Sequence, residues 1–82
     1  MKIYWSGESK NIIGQRIKAV RKARNWTQRT LAEKLQLEGY EFSDITILRI
    51  ENGARFVPDY ELRALAHVLD VSYEFLLDGR TL

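Results

Sequence analysis

FSDITILRIENG, residues 42–53, has a short helix with both of its ends written into it. Ser43 is a capping residue, able to accept a backbone N–H that the first turn cannot satisfy. Asp44 follows in that turn, where the positive end of the helix dipole favours an acid. Ile47 and Ile50 are spaced to face a core. Gly53 suits the left-handed residue that ends a helix. Three residues fit less easily: Asp44, Ile45 and Leu48 stand where such a helix faces outward, and two of them are aliphatic.

Outward from this helix, QLEGYEF (residues 36–42) lacks periodicity and holds a glycine, so it reads as a connector. Leu37, Tyr40 or Phe42 is expected to pin it to the core. Before it, Thr27 caps a second helix whose buried face is Leu31, Ala32 and Leu35. No capping-box glutamate follows; the third residue on is Thr30. The first helix is expected over about Asn11–Arg24, with Ile13, Ile17 and Val20 as its stripe. Asn25 suits a left-handed terminator, and Trp26 anchors the turn.

After Gly53, a loop leads to Pro58, which suits a helix start. A fourth helix, about Asp59–Leu69, carries the stripe Leu62, Leu65, Ala66 and Leu69. Ser72 caps a short fifth helix that Gly79 ends, with Phe75 and Leu76 closing the core. The fold class is therefore all-α, five helices with short connections. The expected organisation is an N-terminal extension (1–10), one domain (11–79) and a short C-terminal end (80–82). Tyr4 and Trp5 either fold back on the core or form a small interface.

With 82 residues, one small domain is expected. There is no cysteine and a single histidine, His67, so disulfides and thiolate metal sites are excluded and no metal is expected. No apolar run reaches the roughly 18 residues of a membrane span, and 1–10 lacks the apolar run of a secretion signal; a cytoplasmic protein with no membrane partner is expected. The formal charge of +2 hides a strong asymmetry. Residues 1–30 hold eight basic residues against Glu8, whereas 31–82 hold five basic and ten acidic ones. A basic half suggests a polyanionic partner; a solvated helix face is the plain alternative. No nucleophile–base set or paired acids are spaced for catalysis, so no enzyme and no cofactor are expected.

IGQRIKAVRKARNWTQRTLAEKL, ITILRIENG and DYELRALAHVLDVSYEFLLDG, taken in this order, resemble the phage-repressor (Xre/Cro-type, lambda-repressor-like) helix-turn-helix family over about residues 12–79. The resemblance implies a compact five-helix lambda-repressor-like DNA-binding domain whose helix-turn-helix unit spans about 27–53. Its third helix would lie in the major groove of double-stranded DNA with its first residues at base edges. It implies phosphate contacts from Gln28 and Asn52, and a shielded ion pair between Arg21 and Glu51. The residues themselves place Arg21 and Glu51 one step beyond their apolar stripes, at a half-buried edge where a charge wants a partner.

Further roles follow from chemistry. Thr27 and Gln28 open a helix whose free amides can clamp an anion, and Ser43 opens the next. Arg29, Lys10 and Arg55 are cationic candidates for phosphate, Arg55 also for a minor groove; Arg16, Lys18, Lys22 and Arg24 form a basic rim of unsettled orientation. The base-reading candidates are Asp44, Ile45, Thr46 and Arg49. Arg49 can bond guanine O6 and N7, or instead a phosphate or an acid. Ile45 can touch a thymine methyl or pack on the connector; Asp44 can accept from cytosine or simply cap. Leu48 is expected to be partly covered by the connector or by a dimer mate. The expected function is a sequence-specific DNA-binding transcriptional regulator, a repressor by type, acting as a homodimer without a small-molecule ligand. Tyr73 and Leu77 are candidates for the dimer surface. The alternative is a protein-interaction or antitoxin-like module on the same fold.

Overall fold

The computed structural model describes residues 9–80; Tyr4 and Trp5 lie outside them. Five helices follow in order: α1 (Gly14–Ala23), α2 (Gln28–Leu37), α3 (Asp44–Glu51), α4 (Asp59–Leu69) and α5 (Tyr73–Asp78). The expected all-α, five-helix architecture stands. α2 packs most extensively on α3; α1 lies against α3, α4 and α5, and α4 joins α2 to α5.

The caps are those their side chains dictate. Thr27, Ser43 and Ser72 accept from the amides of Thr30, Thr46 and Phe75, each saving a first-turn N–H that the helix cannot pair. The Thr27 and Thr30 hydroxyls also bond each other at 2.9 Å. Helix ends rest on left-handed residues: Asn25 after α1, Gly53 after α3, Gly79 after α5, and Asp70 after α4.

α1 begins three residues later than its periodicity predicts, and the reason is Asn11. Its Oδ1 accepts from Gly14 N at 2.8 Å and Ile13 N at 3.2 Å, so it acts as the cap from outside the helix. Its Nδ2 donates to the carbonyls of Ile50 (3.1 Å) and Arg55 (2.8 Å). One amide thus starts α1 and fastens it to the end of α3.

The core is one cluster. Ile17, Leu31, Leu35, Ile47, Ile50, Leu65, Leu69 and Leu76 are its fully buried large side chains, each stabilising by about 1.5–3 kcal/mol relative to exposure. Val20, Leu62 and Phe75 pack on its margin. Of the connector's three candidates, Phe42 is buried and Tyr40 partly so, whereas Leu37 is 87% exposed and pins nothing.

Arg21 and Glu51 are fully buried, not half-buried, at 7% and 6% exposure. Arg21 Nε meets Glu51 Oε2 at 2.6 Å and Nη2 meets Oε1 at 3.0 Å, a bidentate fork. Arg21 Nη1 donates to the Trp26 carbonyl at 2.7 Å. α1, the α1–α2 turn and α3 are joined through this one guanidinium. The distances place it among the stronger, charge-assisted hydrogen bonds.

α1 and α3 also meet backbone to backbone at Gly14. A Cβ built there falls 2.1 Å from the Ile50 carbonyl oxygen and 3.1 Å from that of Glu51.

Two stability measurements check these links. Gly14→Ala should gain about 1 kcal/mol from helix propensity, yet the clash with backbone should outweigh it and leave a net loss of about 1–3 kcal/mol, read as a lower urea midpoint; a stabilised variant would refute the close approach. Glu51→Ala strands a buried guanidinium and should cost about 3–5 kcal/mol, while replacing both partners together by Arg21→Met and Glu51→Leu should recover most of that loss.

Candidate nucleic-acid interface

Ile47, Ile50 and Glu51 fix which way α3 faces, because all three are buried. At about 100° per residue, Ile45, Leu48, Arg49 and Asn52 then share an arc of about 100° on the opposite side. All four are exposed. Asp44 and Thr46 fall on the two flanks of this ridge, and the cap uses both. Asp44 Oδ1 accepts from Ile45 N at 2.9 Å. The Thr46 hydroxyl lies 3.1 Å from that of Ser43, whose Oγ also accepts from Thr46 N. Among the described residues both aliphatic side chains are only partly covered: Ile45 is 51% and Leu48 42% exposed.

The N-terminus of α2 is held beside the C-terminus of α3. Gln28 Nε2 donates to Glu51 Oε1 at 3.1 Å, adding a third donor to the carboxylate that Arg21 already grips. The first-turn amides of Gln28 and Arg29 have no carbonyl within the helix. Arg29 is exposed beside them. Asn52 closes the turn after α3, its Oδ1 accepting from Ala54 N at 3.1 Å. Lys10 lies against the same turn: its amide donates to the Gly53 carbonyl at 2.8 Å, and its ammonium sits 5.8 Å from the Phe56 ring centroid. Thr27, Gln28, Arg29, Asn52 and Lys10 therefore belong to α2, to the turn after α3, or to the segment fastened against that turn.

Arg55 departs from this group. Its guanidinium grips Glu61 with both Nη atoms, the second contact at 3.0 Å, and lies 5.8 Å from the Phe42 ring centroid. The hydrogen bond to Glu61 raises its pKa above the ordinary value, against the opposing effect of burial. The structure assigns Arg55 to the α3–α4 loop and not to a free cationic surface. Arg16 is tied down differently, without an acid: Nη1 donates to the Leu76 and Leu77 carbonyls at 2.9 and 3.3 Å, closing the end of α5. Lys18 and Lys22 are exposed on α1, while Arg24 and Lys34 lie over the Trp26 indole at 5.4 and 4.7 Å.

Sequence reasoning missed Asn11 and Glu61. Asn11 carried a usable signal, a capping residue just ahead of an apolar stripe. Glu61 carried none, since its burial depends on where the loop delivers Arg55.

Among the described residues no helix is long and apolar enough to cross a membrane, and no group of three His, Asp or Glu side chains could hold a metal ion. Neither the curated proteins nor the solved structures compared with the chain gave a significant match. Residues 14–81 do match a family profile, described as a helix-turn-helix domain, and that span covers all five helices. On that match the chain belongs to the helix-turn-helix domain family, in the Xre/lambda-repressor-like class.

Proposed function

We propose that this chain is a sequence-specific regulator of transcription, a repressor by type, that lays α3 in the major groove of double-stranded DNA. Family membership supports DNA binding and transcription regulation in general. The observation that carries the finer reading is the Gln28–Glu51–Arg21 network. It bonds the start of α2 to the end of α3, so an anion held at the α2 N-terminus would set the depth of α3.

Within that reading, the amides of Gln28 and Arg29, the Arg29 guanidinium, Asn52 and Lys10 meet phosphate. Gln28 keeps its second Nε2 hydrogen for this. Thr27 and Ser43 shape the helix ends that approach the backbone. Arg49 reads a guanine, being exposed and on the ridge. Two copies would occupy two half-sites about one helical turn apart. Tyr73 and Leu77 on α5, with Tyr60 on α4, line one exposed apolar concavity that suits the dimer contact. The setting is the cytoplasm of a bacterial or phage-infected cell.

A second reading, a protein-interaction or antitoxin-like module, is favoured by one observation: the ridge of α3 carries two exposed aliphatic residues.

Selection from random duplexes over a salt series tests the first reading. A palindromic motif should enrich, and its affinity should fall steeply with salt; no enrichment and no salt slope would sink it. Arg29→Ala should weaken every sequence alike and lower the salt slope by about one. Arg49→Ala should instead relax preference at one base pair of each half-site, worth about 1–3 kcal/mol. Uniform loss in both variants would remove Arg49 from base reading.

A further inference from the structure

We infer that the Ile45–Leu48 pair is a thymine-methyl reader, so that the sequences this domain selects contain thymine opposite the first turn of α3. The inference rests on the DNA-binding reading above and adds the base it recognises and the residues that do so.

Two polar candidates at the start of α3 already make bonds within its cap. Asp44 bonds the Ile45 amide and the Thr46 hydroxyl pairs with Ser43. What the helix offers outward is Ile45 and Leu48, one turn apart, with Arg49 beside them. Leaving two branched aliphatic side chains half in water forgoes the burial that aliphatic groups gain elsewhere. A groove edge that can cover them must itself be apolar. In the major groove that feature is the C5-methyl of thymine; the other edge groups there are donors and acceptors. A protein partner fits the ridge less well. A stable interface needs roughly 800 Å² from each side, and Arg49 and Asn52 interrupt the apolar surface within one turn.

Thymine and uracil differ by that methyl alone, which makes the test direct. Duplexes of the selected site are made with each thymine replaced in turn by deoxyuridine. One or two positions per half-site should bind about fourfold more weakly, which is the transfer free energy of one buried methyl, ~0.8 kcal/mol, converted at 1.4 kcal/mol per tenfold. Ile45→Ala or Leu48→Ala should erase the thymine–uracil ratio at its own position and leave the salt slope unchanged. Both positions are exposed, so the variants should fold with unaltered helicity. Equal affinity for every thymine and uracil duplex would overturn the inference while leaving DNA reading intact. A ratio that survives both alanine variants would also overturn it. If the thymine library enriches no sequence, the DNA reading and the inference fall together, and the ridge is left to a protein partner.

Discussion

The buried fork between Arg21 and Glu51 constrains everything around it. Two charges out of water are tolerated when their geometry is good and their remaining hydrogen-bonding groups are used. Here Arg21 spends its guanidinium on Glu51 and the Trp26 carbonyl, and Glu51 accepts from Arg21 and Gln28. Any shift of α1, of the α1–α2 turn, or of α2 against α3 would strand a donor or a carboxylate oxygen. Apolar packing holds these helices together but tolerates small slides. The polar fork does not, so it sets their register.

This explains how the chain divides its cations. The basic first half of the sequence suggests a broad positive face, yet much of that charge works inside the molecule. Arg21 is buried, Arg16 closes α5, and Arg24 lies over an indole with Lys34 from the second half. Arg55 holds the loop after α3 to α4. The exposed cations left around the α2–α3 unit are few, with Arg29 and Arg49 the best placed. Charge counted along a sequence is therefore a poor guide to which cations are placed to contact a partner.

The legible parts of this molecule are those governed by local physics. Thr27, Ser43 and Ser72 cap because a hydroxyl at a helix start has one obvious use, and the apolar stripes bury because their spacing leaves no other face. Asn25 announced its left-handed turn. The illegible parts depend on distant delivery. Nothing near Glu61 indicates that Arg55 will arrive to pair with it, and nothing near Arg16 points to carbonyls sixty residues away. Asn11 lies between: its capping role was readable, its bonds to Ile50 and Arg55 were not. At the candidate site, Arg49 could be placed outward from its spacing and Asp44 could be read as a capping residue, whereas the bond between the Thr46 and Ser43 hydroxyls required the side-chain geometry.

Gly14 has a consequence for how the domain can vary. Where α1 crosses α3, peptide groups touch with no side chain between them. The spacing at that crossing is set by the dimensions of the backbone, which no substitution elsewhere alters. A larger or smaller residue in the core behind it must then tilt the helices about this point. With the crossing as a fulcrum, volume changes deep in the core should emerge as small rotations of α3, and so as changes in the angle of its outward ridge.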